Sequence, residues 1–222
     1  MNILVPTADG SNTLFNDIIG EHYHSSNGAL QESKHVFLEA GLKYAINQKK
    51  ERQLSILEVG FGTGLNFILS YAYCEQHQIE LNYTGIEAFP LPKDIIEQTN
   101  YKQFVPEVIW QNFIDKYEQS LHQKCTLSSL GKLEIAHCAL ADFKDRATFD
   151  VLYYDAFSVK HQPEMWTNEI ITHACSFIKV GGVFVSYAIT GNLKRAVSNC
   201  GFTIEKLSGA PGKREMLRAI KY

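Results

Sequence analysis

The hydrophobic positions of the chain fall into short runs separated by longer polar and amphipathic stretches. Apolar, β-branched runs recur at 54–59, 81–86, 132–138, 149–154, 183–189, 202–207 and 216–220. Helical patterns separate most of these runs, and strands that alternate with helices predict a parallel sheet with crossover helices. The last two runs are joined only by SGAPGKRE, which is too short for a crossover and indicates an antiparallel hairpin. The pattern predicts an α/β fold with a seven-stranded sheet and an antiparallel C-terminal hairpin.

The first 35 residues differ from this alternating core. Two short strands are predicted around the turn-rich ADGSN at 8–12, and a polar stretch follows at 21–33. A helix is predicted over 36–48, and the stretch 93–131 is long enough to hold two helices that cover one face or the mouth of a site. We therefore expect a single domain over 1–222, with a short N-terminal β extension at 1–35 and a Rossmann-like core at 52–222.

The composition argues against several classes of protein. Hydrophobic residues at 45% and charged residues at 20% match an ordinary globular protein. The opening MNILVPTADG has no basic segment and apolar run of a secretory signal, and the uncharged stretch 180–193 is too short to span a bilayer. The five cysteines form no CxxC pair, and the isolated HxxC at 122–125 is too small a ligand set for zinc. We expect a cytoplasmic protein with no membrane or metal partner.

The charge is distributed unevenly along the chain. The net charge is −3, but residues 192–222 carry seven Lys or Arg against two Asp or Glu. A basic segment of this kind fits a nucleic-acid surface, and it fits an ordinary solvated face equally well.

A glycine-rich loop directly follows the first core strand. The segment EVGFGTGLN at 58–66 places three alternate glycines between a strand and a helix, where tight turns let a ligand approach backbone amides. Dinucleotide-binding proteins usually show GxGxxG, whereas ExGxGxG is typical of methyltransferases. The predicted contacts to S-adenosylmethionine are Glu58, Gly60, Phe61, Gly62, Gly64, Leu65 and Asn66.

Acidic residues follow two of the next strands. Glu87 ends the second strand, where a carboxylate can hold both ribose hydroxyls of a nucleotide. The third strand ends in Cys138 and Ala139 without the acid expected for adenine, so that bond is left to Asp142 or to a backbone carbonyl. The fourth strand runs into Asp155, which should point into the cofactor crevice. We predict Asp155 to be both the catalytic residue and a cofactor contact.

Several longer motifs indicate a family. FGTGLNF at 61–67, PEMWT at 163–167 and KREM at 213–216 resemble the methyltransferase half of bacterial bifunctional MnmC proteins, which act in tRNA 5-methylaminomethyl-2-thiouridine synthesis. YHS at 23–25 with Gly28 and Glu32, VFLE at 36–39, EAFPL at 87–91, DAF at 155–157 and TG at 190–191 agree with this resemblance. It implies a class I methyltransferase fold, S-adenosylmethionine as cofactor, and methylation of the aminomethyl nitrogen on the wobble uridine of tRNA. The chain departs from the family at Cys138-Ala139 and at His161, near an expected lysine.

The resemblance also implies roles for individual side chains. Asp155 would accept a hydrogen bond from the amine and orient its lone pair, and Phe157 would stack on the base. Trp166 is expected to lie in the core. The residues expected to contact tRNA phosphates are Lys160, Lys194, Arg195, Lys213 and Arg214.

The substrate is expected to carry its aminomethyl group already, because the chain has no residues for the FAD-dependent oxidase half of the bifunctional proteins. A separate enzyme would then install that group, and a carboxymethylaminomethyl substrate would be refused. Two alternatives stay open. One is a methyltransferase acting on a small-molecule or protein amine, and the other is a non-catalytic module that binds S-adenosylmethionine or tRNA.

Overall fold

The structure is a computed structural model that describes residues 2–49, 52–146 and 148–222. Within these residues the strands form a three-stranded antiparallel sheet at the N-terminus and an eight-stranded mixed sheet. The strands are β1 (Asn2–Pro6), β2 (Asn12–Asn16), β3 (Glu21–His22), β4 (Gln53–Val59), β5 (Glu80–Ile86), β6 (Cys125–Thr126), β7 (Gly131–Ala136), β8 (Phe149–Tyr154), β9 (Ile178–Ser186), β10 (Phe202–Ser208) and β11 (Glu215–Lys221).

Helices connect most of these strands. The α-helices are α1 (Ala29–Glu32), α2 (Tyr44–Lys49), α3 (Leu65–Gln76), α4 (Lys93–Gln98), α5 (Glu107–Ser120), α6 (Asn168–Ser176) and α7 (Gly191–Asn199). A π-helix over Ser33–Lys43 joins α1 to α2, and 3₁₀ turns lie at Tyr101–Phe104, Leu140–Asp142 and Pro163–Trp166. The helix predicted over 36–48 therefore begins earlier, at residue 29. None of the described helices combines the length and the apolar character needed to cross a membrane.

The large sheet has the strand order β10-β11-β9-β8-β4-β5-β7-β6. β4 pairs in parallel with β5 and β8, while β11 runs antiparallel to both β9 and β10. The predicted parallel sheet with an antiparallel C-terminal hairpin is confirmed. The strands β5, β6 and β7 are all added on one side of β4, and the chain then crosses to β8 on the other side, so the strand order reverses between β4 and β8. A crevice at this point is where open α/β sheets bind ligands.

Two details of the sequence prediction are wrong. The described sheet has eight strands rather than seven, because the two-residue β6 pairs antiparallel with β7 and is too short to show any periodicity. The N-terminal extension likewise has three strands rather than two, since β3 adds a two-residue pairing to β2.

Two apolar clusters cover the faces of the large sheet. One includes α3, α5 and the π-helix and is rich in aromatic rings, such as the stacked Phe67 and Tyr71. The other packs α6 and α7 against β8, β9 and β11, and it buries Trp166 as predicted. The N-terminal sheet is joined to the core by polar contacts: Asn12 donates to the carbonyl of Thr99 at 3.1 Å, and its own carbonyl accepts from the Tyr101 hydroxyl at 3.1 Å. The division of one domain into an extension and a core stays a prediction.

Candidate active site

A cavity of about 780 Å³ opens at the carboxyl ends of β4, β5 and β8. Its volume lies in the range of small-molecule pockets. The core contributes the glycine loop after β4, Glu87 after β5 and the segment from Asp155 to Phe157 after β8. Further parts of the wall come from the N-terminal extension, between residues 18 and 26 and at Glu32, and from Lys213 in the C-terminal hairpin. The two ends of the chain therefore complete a site that the sheet begins.

The glycine loop is held between two neighbouring strands. The backbone amides of Gly60 and Phe61 donate to the carbonyl of Ile86 at 3.0 and 3.2 Å. Gly60 has a φ of +83°, and a Cβ there would lie 2.5 Å from the carbonyl oxygen of Asp155. Gly62 has a φ of +52°, and its Cβ would lie 2.9 Å from the ring of Tyr23. Glycine at these two positions therefore allows both the backbone conformation and the close approach.

Glu87 is fixed by two backbone amides. Its Oε2 accepts from the amide of Gly62 at 2.9 Å, and its Oε1 accepts from the amide of Phe89 at 3.0 Å. Each carboxylate oxygen keeps further acceptor capacity, and the residue lines the cavity. The arrangement suits a carboxylate that holds a pair of hydroxyl groups.

Behind the loop, two carboxyl groups share one amide. The Nδ2 group of Asn66 donates to Glu58 and to Asp155, each at 2.8 Å. Glu58 also accepts from the Tyr83 hydroxyl at 2.8 Å, and complete burial raises the pKa of Glu58 well above its usual value. Neither Glu58 nor Asn66 is among the cavity-lining residues, although both were predicted to bind the cofactor. The structure instead places them where they support Asp155 from behind.

Asp155 faces the cavity with only 6% of its side chain exposed. Its backbone amide donates to Val59 at 2.9 Å, which ties the end of β8 to β4. Burial raises the pKa of Asp155 to about 8; the negative charge of Glu32 adds to the increase, and Asn66 and Lys213 oppose it. A carboxyl group with a raised pKa is a stronger proton acceptor, once it is ionised, than an ordinary surface carboxylate.

The extension contributes buried polar groups that the sequence prediction did not assign to the site. Nε2 of His24 lies 3.0 Å from the Thr63 hydroxyl, and Nδ1 lies 3.9 Å from Asp155. Glu32 is 3% exposed, accepts from the amide of Ser25 at 3.0 Å, and pairs with Lys213. The one sequence signal for these residues is their place in the motif at 23–32, because more than a hundred residues separate them from Asp155.

Lys213 occupies a different place from the one predicted. It was expected on the tRNA-binding surface, yet its ammonium pairs with Glu32 and lies 3.7 Å from the centre of the Tyr187 ring on the cavity wall. The hairpin turn contacts the extension closely, since a Cβ on Gly212 would lie 2.0 Å from the side chain of Asn27. This contact brings the hairpin lysine over the site.

The other predicted residues divide between the cavity and the surface. Phe157 lines the cavity and packs edge-on against Tyr23 at 5.0 Å. Gly64 and Leu65 begin α3 behind the cavity wall. Asp142 is exposed, while Cys138, Ala139 and Leu140 line the cavity in its place. The basic residues on the surface are the exposed Lys160, Arg195 and Arg214 and the half-buried Lys194.

Comparison with known proteins decides the family. Residues 107–222, just over half of the chain, match the model of a family described as S-adenosyl-L-methionine-dependent methyltransferase. The chain belongs to this family. Its cofactor is therefore S-adenosylmethionine, as the glycine loop predicts.

Two curated relatives of this methyltransferase have the same name. It is 29% identical over 227 residues to the tRNA 5-methylaminomethyl-2-thiouridine biosynthesis bifunctional protein MnmC of Leptospira borgpetersenii, covering 97% of this chain and 33% of that protein. The MnmC of Pseudoalteromonas atlantica is 30% identical over 234 residues, covering 96% of this chain and 32% of that protein. The chain thus spans about a third of the length of these relatives. The resemblance to MnmC is confirmed.

A solved structure shares the fold. The crystal structure of MNMC2 from Aquifex aeolicus has a TM-score of 0.76 and 22% sequence identity, and the match covers 99% of this chain and 70% of that chain. Together with the family match, this likeness confirms the predicted α/β fold of an S-adenosylmethionine-dependent methyltransferase.

Proposed function

We propose that this methyltransferase transfers a methyl group from S-adenosylmethionine to the aminomethyl nitrogen on the wobble uridine of tRNA. The observation that carries the proposal is the buried Asp155 at the carboxyl end of β8, directly beside the cofactor loop. The substrate class comes from the relatives, which are named tRNA 5-methylaminomethyl-2-thiouridine biosynthesis bifunctional protein MnmC.

The residues of the cavity fit the cofactor. The loop presents Gly60 and Gly62 at the cavity wall, and Glu87 offers a fixed carboxylate for the ribose hydroxyls. The backbone and side chains of 138–140 line the wall where the adenine would lie, in place of the acid that the family pattern leads one to expect. When bound, the cofactor supplies a methyl group on a positively charged sulfur.

Asp155 prepares the amine for attack. An alkyl amine with an unperturbed pKa of about 10 arrives mostly as the ammonium ion, which has no free lone pair. The Asp155 carboxylate accepts one proton and becomes a carboxylic acid, leaving the neutral amine beside it. Because the pKa of Asp155 is raised to about 8, this transfer is less unfavourable than it would be to an ordinary carboxylate. The neutral nitrogen, held beside Asp155, would then be ready to receive the methyl group that the bound cofactor would supply.

The remaining parts of the proposal concern the nucleic acid. Phe157 at the cavity wall would stack on the uridine, and the exposed Lys160, Arg195 and Arg214, together with Lys194, would contact phosphates. We further propose that a separate enzyme installs the aminomethyl group and that the reaction takes place in the cytoplasm.

The test supplies the purified protein and methyl-labelled cofactor with three tRNA preparations, which carry aminomethyluridine, carboxymethylaminomethyluridine or unmodified uridine at the wobble position. Label is expected in the first alone, and mass spectrometry should identify methylaminomethyluridine. The Asp155→Asn variant is the control: it keeps the shape of the side chain, and it should bind the cofactor normally but turn over at least a hundredfold more slowly. Label in small or protein amines instead of tRNA, or cofactor binding with no transfer at all, would overturn the proposal.

A further inference from the structure

His24 carries a buried nitrogen without a partner at the wall of the cavity. The side chain is 6% exposed, and its Nδ1 has no hydrogen-bond partner among the described residues. Buried polar atoms are nearly always hydrogen-bonded, so an unpaired one at a binding cavity indicates a bond that a ligand completes. Oδ2 of Asp155 lies 3.9 Å from this nitrogen, which is too far for a direct bond.

The hydrogen bonds behind the ring accommodate a proton on Nε2. Nε2 of His24 lies 3.0 Å from the Thr63 hydroxyl, which lies 3.2 Å from the Tyr101 hydroxyl. The Tyr101 hydroxyl also lies 3.1 Å from the carbonyl oxygen of Asn12, and a carbonyl can only accept. The Tyr101 hydroxyl donates to Thr63 as well as to that carbonyl, and the Thr63 oxygen has a second lone pair that accepts a proton carried on Nε2. Nδ1 then faces the cavity as an acceptor.

The ring is neutral around physiological pH. Burial lowers the pKa of His24 to about 4. The negative charge of Glu32 raises this pKa, and the positive charge of Lys213 lowers it. The Nδ1 lone pair is therefore available to a donor throughout the pH range in which an amine substrate would be bound.

The spacing of the two acceptors fits an amine nitrogen. An atom about 2.8 Å from both Nδ1 of His24 and Oδ2 of Asp155 would see them at an angle of about 90°, which bent hydrogen bonds from a tetrahedral nitrogen can meet. A neutral primary amine that directs its lone pair at a methyl group has two hydrogens left, and each needs an acceptor. Asp155 supplies one acceptor, and among the described residues that line the cavity Nδ1 of His24 is a buried side-chain atom without a partner.

We propose that Nδ1 of His24 is the second hydrogen-bond acceptor for the substrate amine, and that together with Asp155 it orients the lone pair for methylation. This inference rests on the proposed amine methylation, but it makes a separate claim about the side chain that binds the nitrogen. His24 would contact the substrate itself, whereas Thr63 and Tyr101 would only hold the ring in position.

Two substitutions of His24 distinguish the roles of its two ring nitrogens. Asparagine places an oxygen acceptor at the position of Nδ1 and removes the Nε2 group, whereas glutamine keeps a polar atom near the position of Nε2 and removes the acceptor at Nδ1. His24→Asn should therefore retain the function proposed here, and His24→Gln should lose it. Thermal unfolding of both variants checks that each remains folded.

The first readout is binding, which needs no tRNA. The probe is sinefungin, a cofactor analogue in which a carbon bearing an amine replaces the methylated sulfur, and its reference is S-adenosylhomocysteine, which lacks that amine. Calorimetry should show a preference for sinefungin that falls about tenfold to a hundredfold in His24→Gln and is largely kept in His24→Asn. The affinity for S-adenosylhomocysteine should stay the same in all three proteins.

The second readout is the single-turnover rate with aminomethyl tRNA at saturating concentrations. It should fall by a similar factor in His24→Gln and recover in His24→Asn. An equal preference for sinefungin in the wild type and His24→Gln, or an equal loss in both variants, would overturn the role of Nδ1. If the wild type fails to methylate the tRNA while the preference for sinefungin still depends on Nδ1, the proposed substrate is wrong but the amine site stands.

Discussion

Gly60 offers a direct test of how the cofactor loop positions Asp155. In Gly60→Ala the new Cβ would lie 2.5 Å from the Asp155 carbonyl oxygen, about 0.9 Å inside the 3.4 Å at which ordinary contact begins. The Cβ is bonded directly to the backbone and the oxygen is part of it, so neither atom can rotate away and the end of β8 must move. Gly10 provides the matched control. Its φ of +82° is almost the same as the +83° of Gly60, but a Cβ on Gly10 would meet nothing within 4 Å.

The two effects of the substitution can be separated by size. A left-handed backbone costs an alanine roughly 1–2 kcal/mol, and for a chain of this length that corresponds to a fall of about 2–8 °C in Tm. Gly10→Ala should show this fall and no change in activity. Gly60→Ala should show at least the same fall. It should also lose about a hundredfold in rate, since a displacement of about 1 Å at a reacting group can cost that much.

The assay is a single-turnover measurement of methyl transfer to aminomethyl tRNA at saturating cofactor, with calorimetry for cofactor affinity and thermal unfolding for stability. Saturation removes any contribution from weaker cofactor binding. A Gly60→Ala rate within about threefold of the wild type, alongside a Tm like that of Gly10→Ala, would refute the idea that the loop holds Asp155 in place.

Further predictions concern charged residues at the site and on the surface. Glu32→Gln removes a negative neighbour, so it should lower the pKa of Asp155 and move the rising limb of the pH–rate profile below pH 8. Lys213→Met removes a positive neighbour, so it should move that limb to higher pH. Shifts of both variants in the same direction would contradict the assignment of this limb to Asp155. Glu87→Ala should weaken cofactor binding by about 1–3 kcal/mol in calorimetry, because the ribose hydroxyls lose their acceptors. Arg195→Ala should reduce the salt slope of tRNA binding by about one unit, and an unchanged slope would remove this residue from the RNA surface.

The stability of the protein should also depend on Asp155. Its pKa in the folded state is about 8, against an ordinary value of 3.8, so the folded protein holds a proton that the unfolded chain releases across this range. This contribution is complete below about pH 4, and it is lost as the pH rises toward 8.

Local patterns along the chain determined much of this protein. Apolar runs that alternate with helical segments, and a final connection too short for a crossover, were enough to predict the parallel sheet and its antiparallel hairpin. The alternate glycines and Glu87 lie at the ends of consecutive strands, so the strand order alone brings them together. These features could be predicted because each depends on neighbouring residues or on the general rule that ligands bind at carboxyl ends of parallel strands.

The tertiary structure alone decided how the other half of the site is built. His24 lies near Asp155, and the charge of Glu32 acts on it, because the N-terminal extension packs over the crevice. Lys213 reaches Glu32 because the hairpin turn contacts the same extension. Behind the loop, Asn66 donates to Glu58 and to Asp155, and Asp155 lies 89 residues further along the chain than Asn66. No local pattern encodes these contacts, since they join segments far apart in the chain through burial and hydrogen bonding, and a lysine in a basic segment looks like a surface residue until its buried partner is known.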